Sequence, residues 1–165
     1  MLNEGLTEMN QRQLALFRRT HIGFVFQAYN LVPSMTVLDN VLLPLTLARR
    51  KADHGRLTAL MARFRLNGHG RDAAGSLSGG EQQRVALMRT LVADPDVVFA
   101  DEPTGALDRR TGQLVFDELR AFSRRPGKCV IVVTHDPGLA QQCDVIYTMR
   151  DGRFVMPVAP GSGEL

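Results

Sequence analysis

Residues 97–103 read Val97-Val98-Phe99-Ala100-Asp101-Glu102-Pro103. Four apolar residues without alternation describe a strand buried on both faces, and two carboxylates and a proline end it. Just upstream, Gly80 to Ala93 carries Val85, Met88, Leu91 and Val92 along one side, which is helical spacing. Downstream, Thr111 to Ser123 repeats it with Leu114, Val115, Leu119 and Phe122. Val130 to Thr134 is a second continuous apolar strand, and Val145 to Met149 a third. Asp151-Gly152 is a hairpin-type turn into Phe154-Val155. Unalternated strands separated by helices predict an α/β fold, a mostly parallel sheet with helices on both faces. Such sheets carry their chemistry just beyond the strand C-termini.

The N-terminal half is more helical. Thr7 to Arg19 reads as a helix, with Met9, Leu14, Leu16 and Phe17 apolar. Ile22 to Phe26 is a short strand, and Gln27 to Ser34 a loop stopped by Pro33. Thr36 to Ala48 is an apolar helix that Pro44 should kink. Arg56 to Leu66 is amphipathic, with Leu57, Leu60, Met61 and Phe64 on one face, and Asn67 to Gly75 is a glycine-rich loop. No repeat or low-complexity segment interrupts this order.

Composition narrows the class. At 165 residues, 44% hydrophobic and 22% charged, the chain has the makings of one compact domain. A disordered tail, a collagen-like repeat and a disulfide-dense mini-protein are excluded. The formal charge of +3 is small and scattered, without the basic stripe of a nucleic-acid binder. Lys51 and Lys128 are the only lysines among 20 basic residues, so a function that needs lysine has two candidates. The longest apolar run, Cys129 to Val133, has five residues, whereas a membrane-spanning helix needs about 20. The start Met-Leu-Asn-Glu-Gly has no signal-peptide pattern. Cys129 and Cys143 have no metal spacing and read as reduced thiols. The expectation is a cytoplasmic chain, with attachment to a membrane through a partner left open.

Beyond the strand ends stand several polar groups. Asp101 suits a hydrated Mg²⁺ and Glu102 a water to be deprotonated, although such a pair also serves as a helix cap or solvated turn. His135, in Thr134-His135-Asp136-Pro137, can donate to a phosphate, but a lone histidine is more often an ordinary surface or core residue. Gln27 can hold a metal-bound water, but alone means little. The segment Leu77-Ser78-Gly79-Gly80-Glu81-Gln82-Gln83-Arg84 says more. Ser78 with Glu81 is a capping box. The two glycines do not fit that account, because glycine is poor in a first helical turn unless something must approach the backbone closely. Bare amides at a helix N-terminus take an anion, so Ser78, Gly79 and Gly80 would hold a phosphate.

Together these residues resemble a known family. Leu77-Ser78-Gly79-Gly80-Glu81-Gln82 is similar to the signature motif of ABC-type ATPases, and Val97 to Asp101 with Glu102-Pro103 to their Walker B segment and catalytic glutamate. Ala106-Leu107-Asp108 resembles the D-loop, His135 the switch histidine and Gln27 the Q-loop glutamine. All five occur in family order. Phe24-Val25-Phe26-Gln27, Asn30-Leu31-Val32-Pro33 and the run from Asp101 to Asp108 resemble the branch serving lipoprotein-releasing, macrolide-exporting and antimicrobial-peptide-resistance transporters. The likeness runs from about Asn3 to about Arg153.

The resemblance implies a P-loop NTPase-like fold with a helical subdomain at about 36–76, the ATPase core at about 1–35 and 77–155, and a tail at 156–165. It implies ATP and Mg²⁺ as cofactors. Asp101 and Gln27 would serve the Mg²⁺ shell, Glu102 the attacking water and His135 the terminal phosphate. Ser78, Gly79, Gly80, Glu81 and Asp108 would complete a nucleotide site shared with a second ATP-binding subunit. A membrane permease is the other implied partner, nucleic acid is not one, and the place is the inner face of the cell membrane. Relatives in DNA repair or translation carry a long coiled coil or tandem domains, which this chain does not show.

One part of the pattern is missing. The family's P-loop, Gly-x-x-x-x-Gly-Lys-Ser/Thr, belongs upstream of Gln27, where its amides and lysine hold phosphates. Lys51 follows Arg50. Lys128 follows Gly127, but Cys129 comes next and Phe122 stands where the first glycine should be. The adenine-stacking aromatic also has no counterpart. The expectation is a chain that begins just after the P-loop, lacking a strand that by resemblance lies between Val130–Thr134 and Val145–Met149. Those two strands should then pair poorly or close up with distorted packing, and exposed edges would invite association.

Overall fold

The structure is a computed structural model that describes residues 5–105 and 107–158, and the side chains as far as 155. Asn3, Ala106 of the D-loop-like stretch, and the tail at 156–165 apart from the backbone of 156–158 lie outside the described residues. The chain forms two compact units, Met1–Val133 and Thr134–Leu165.

The first unit holds a parallel sheet in the order β1 (Ile22–Val25), β2 (Val97–Asp101), β3 (Cys129–Val133). In register, Val25 meets Ala100 and Ala100 meets Val132. Helix α1 (Gln11–His21) precedes β1. It starts later than Thr7 because the Asn10 side chain accepts from the Gln13 amide at 3.0 Å while the Gln13 side chain accepts from the Asn10 amide, a reciprocal cap. Helices α2 (Val37–Leu47), α3 (His54–Arg63) and α4 (Gly79–Ala93) link β1 to β2, and α5 (Arg109–Ser123) links β2 to β3. Helix α2 continues through Pro44 to Leu47. Helix α3 ends earlier than expected, because Arg65 takes a φ of 54°. The loop at 67–75 contains two short 3₁₀ turns, His69–Arg71 and Ala74–Ser76.

The core forms around α4. Val85, Ala86, Leu87, Met88, Leu91 and Val92 are all buried, so the helix is enclosed on more sides than one stripe predicts. Val37 and Val41 of α2, Phe64 and Leu66 after α3, and Val115 and Leu119 of α5 complete it. Gly23 lets β1 approach α4: a Cβ there would lie 2.6 Å from Thr90 Cγ2 and 2.9 Å from Pro95 Cγ.

Helices flank the parallel sheet, and one of its faces packs against α4 and α5. Val25, Val98 and Ala100 are buried against α4 and α5. Phe24, Phe99, Ile131 and Val133 alternate with them along the strands and are exposed. Phe24 stacks on Phe26 and Phe99 at 5.4 and 5.6 Å between ring centroids.

In the second unit, Asp136 caps the short α6 (Pro137–Ala140), accepting from the Gly138 and Leu139 amides. Strands β4 (Ile146–Arg150) and β5 (Arg153–Val158) form an antiparallel hairpin. Its turn has positive φ at Asp151 and Gly152, as the sequence suggests. Among the described residues β4 pairs with β5 and not with a strand of the three-stranded sheet. Among the described residues no helix is long and apolar enough to cross a membrane.

Candidate functional site

Parallel pairing of β1 with β2 sends Gln27 and Asp101-Glu102 out of the same end of the sheet. Asp101 closes β2 opposite Val133, is exposed, and has no salt-bridge partner among the described residues. Glu102 turns the chain away from the strand with a φ of 44°, in the left-handed region. Its amide donates to the Val133 carbonyl at 2.9 Å, and its carbonyl accepts from Gly105 N at 3.2 Å. Two hydrogen bonds thus hold a strained residue so that its carboxylate stands past the strand end. Among the described residues no three His, Cys, Asp or Glu converge on a point. A single carboxylate with an amide nearby nevertheless suits Mg²⁺, which keeps most of its waters.

At the N-terminus of α4, Ser78 and Glu81 satisfy each other. The Ser78 hydroxyl donates to Glu81 Oε2 at 2.6 Å, its amide donates to the same oxygen at 2.9 Å, and the Glu81 amide donates back at 3.4 Å. The hydrogen bonds from the Ser78 hydroxyl and amide hold the Glu81 carboxyl below its ordinary pKa. The capping box therefore accounts for both side chains. The two glycines differ. A Cβ on Gly79 would come 2.9 Å from Tyr29 Oη, so this glycine makes room for the loop after Gln27. A Cβ on Gly80 would meet only ordinary contacts, Leu107 Cδ2 at 3.5 Å and Arg84 Nη1 at 3.8 Å. Internal packing does not require Gly80, which leaves its bare backbone available to an anion.

Asp108 caps α5, accepting from the Arg110 and Thr111 amides at 3.0 and 3.1 Å. The hydrogen bonds from the Thr111 hydroxyl and amide lower its pKa. His135 belongs to the second unit, two residues past β3. The structure thus brings Gln27, Asp101 and Glu102 to one end of one sheet. Ser78, Gly79, Gly80 and Glu81 sit at one helix end, and Asp108 at another.

Neither lysine stands where a phosphate-holding lysine is needed. Lys128 lies at the opposite end of the sheet, with Nζ donating to the Asp94 carbonyl at 3.0 Å and to Asp96 Oδ1 at 3.2 Å. Lys51 is exposed between α2 and α3. The residues described here fit the metal side and the signature side of a nucleotide site, and they do not fit its phosphate cradle.

Sequence reasoning missed the groups that hold these segments in place. Asn40, fully buried, accepts from Val32 N at 2.8 Å and donates to the Val32 and Thr36 carbonyls at 3.0 Å each. Arg89 donates to the Asn30 and Tyr29 carbonyls at 2.6 and 3.0 Å. Gln83, 2% exposed, donates to the Pro103 carbonyl at 2.9 Å. A polar side chain inside an otherwise apolar helical face was the signal available for each.

The chain is similar to known proteins over most of its length. Residues 3–105 match the ABC transporter family. The chain is 44% identical over 162 residues to an uncharacterized ABC transporter ATP-binding protein of Mycobacterium tuberculosis, Rv0986, covering 93% of this chain and 63% of that protein. It is 41% identical over 150 residues to the lipoprotein-releasing system ATP-binding protein LolD of Desulfotalea psychrophila, covering 90% of this chain and 67% of LolD. The chain thus spans just under two thirds of the Rv0986 length. A dimeric post-hydrolysis structure of the ATP-binding cassette MJ0796, bound to ADP and Pi, superposes with a TM-score of 0.86 at 35% identity, covering 99% of this chain and 73% of that one. With strand-end carboxylates, a glycine-rich helix start and matches across most of its length, this chain belongs to the ABC transporter family as part of an ATP-binding domain.

Proposed function

We propose that the chain contributes to an ATP-hydrolysing subunit that powers a membrane transporter, and that these 165 residues supply the signature and catalytic-base parts of the nucleotide site. The observation behind this reading is the exit of Gln27, Asp101 and Glu102 from one end of β1 and β2. ATP would supply the phosphoric anhydride to be cleaved, and Mg²⁺ would neutralise charge on its phosphates. Asp101 and Gln27 would stand on the metal side through water. Glu102 would accept the proton of the attacking water. His135 would contact the terminal phosphate, and Ser78, Gly79, Gly80, Glu81 and Asp108 would serve the nucleotide of a second ATP-binding subunit. The region at about 36–76, with the loop after Gln27, would be a helical subdomain facing the permease and would place the chain at the inner membrane face. The relatives' branch favours export or lipid-face extraction.

The position of Lys128 favours a second reading. If no P-loop precedes Met1, the chain is a non-catalytic half-site or an inactive fragment, and binds ATP poorly alone. Isothermal titration of the 165-residue chain with Mg-ATP tests this, and a low-micromolar Kd would overturn it. The intact mass of the native polypeptide separates the two readings: 18.2 kDa supports the half-site, and a mass several kilodaltons higher restores the complete ATPase.

A further inference from the structure

We propose that Gln83 and Arg89 are positioning residues, which tie the turn carrying Glu102 and the loop carrying Gln27 to the single helix α4 so that the two segments shift together. The catalytic meaning of these segments rests on the function proposed above; the mechanical coupling does not.

Three observations carry the inference. First, both tethers run from α4 side chains to backbone carbonyls. Gln83 reaches Pro103, the residue after Glu102, and Arg89 reaches Tyr29 and Asn30, two and three residues after Gln27. Second, each tethered segment contains residues in the left-handed region. Tyr29, Asn30 and Glu102 have φ values of 59°, 50° and 44°. Such conformations persist only where the surroundings hold them. Two parallel hydrogen bonds from one planar guanidinium hold a pair of adjacent carbonyls in a fixed relation, which a lysine cannot do. Third, Gln83 is buried at a cost. Its Oε1 has no hydrogen-bond partner among the described residues. Flipping the amide does not help, because the oxygen would then face the Pro103 carbonyl. An apolar side chain of the same length would avoid the orphaned acceptor. The glutamine adds a directed bond to the Glu102 turn, which apolar packing cannot supply.

Helix α4 is suited to transmit a displacement. It is enclosed by the core and runs from Gly79 to Ala93 without interruption. Thr90 adds a third tether, donating to the Phe24 carbonyl of β1 at 2.7 Å. A shift of α4 along its axis would therefore be felt by both strand ends at once.

Amide hydrogen exchange read by mass spectrometry on the whole 165-residue chain tests the coupling without nucleotide. Gln83→Met keeps length and bulk but loses the donor. Arg89→Lys keeps charge but loses the fork. The expected result is that each variant speeds exchange about threefold or more both in residues 27–32 and in residues 101–105, while its melting temperature falls by no more than about 3 °C. Asp53→Ala, which removes the cap of α3 and touches neither tether, should leave both segments unchanged. Acceleration confined to the segment each variant touches would overturn the proposal. So would no acceleration, or the same acceleration in Asp53→Ala, which would mean general loosening. Should Gln83→Met fail to fold, Arg89→Lys alone still decides through its effect on residues 101–105. Failure of a longer form that carries a P-loop to hydrolyse ATP counts against the proposed function and leaves the exchange result to be read separately.

Discussion

The two ends of the three-stranded sheet treat their carboxylates in opposite ways. At the end where β2 begins, Asp94 meets Arg125 at 2.8 Å, Arg56 at 3.2 Å and Lys128 at 3.7 Å. Asp96 beside it meets His21 at 2.6 Å and Lys128 at 3.2 Å. Partial burial pushes the Asp94 pKa up, but hydrogen bonds from Arg125 and Arg56 outweigh it and the net direction is down. The hydrogen bond with His21 lowers that of Asp96. At the other end Asp101 has no such cation among the described residues. The lesson is one of division of labour. Carboxylates that join α3, α4, α5 and the strands carry their own counter-charges, whereas Asp101, under the proposed function, would leave that place to a metal ion.

The largest effect that would break the contrast lies at the chemical end. Glu102→Gln should slow ATP hydrolysis at least about 100-fold, measured with a P-loop supplied by a longer form or a partner, while stability changes by less than about 0.5 kcal/mol. A melting temperature that fell together with the rate would show that Glu102 is a structural group after all. Asp94→Ala is the mirror experiment. It leaves Arg56, Arg125 and Lys128 without their shared acceptor and should cost about 2 kcal/mol in urea unfolding, a figure already reduced for partial exposure. A loss under about 0.5 kcal/mol would mean that solvent screens the cluster.

The acid limb follows by sign. Asp94 and Asp96 both have lowered pKa values in the folded chain, so the stability they add is present above the ordinary aspartate range. It is lost as pH falls through their folded values, below about pH 4. Unfolding followed from pH 6 down to 2 should show that loss in the wild type and a shallower one in Asp94→Asn. The smallest effect belongs to the capping box. Ser78→Ala should cost about 1 kcal/mol through the lost cap, and a larger decline in nucleotide-dependent pairing than in stability would separate a phosphate-binding serine from a purely capping one.

Much of the fold was legible because it is local. Helices α4 and α5 and strands β2 and β3 follow from the apolar spacing between 80 and 134. Boundaries moved where a side chain competed, as at Asn10, or where a residue took a left-handed conformation, as at Arg65. The run from Val145 to Met149 looked like a third buried strand, yet Tyr147 and Met149 are exposed and its partner is β5. An apolar run reveals that a strand forms and not which strand it joins. In the candidate site, Asp101, Glu102 and Gln27 were readable because each directly follows a strand. The reason for Gly79 was not, since Tyr29 is fifty residues away in the chain.

From residue order alone came the α/β class, the family, the positions of the strand-end carboxylates and the fact that these 165 residues contain no P-loop motif. Each is written in short stretches whose chemistry is local. Only the folded chain showed that Lys128 is committed to Asp94 and Asp96, and that α4 holds two strained segments through Gln83 and Arg89. Those facts depend on contacts between residues 20 to 60 positions apart, and only packing decides which distant partners meet.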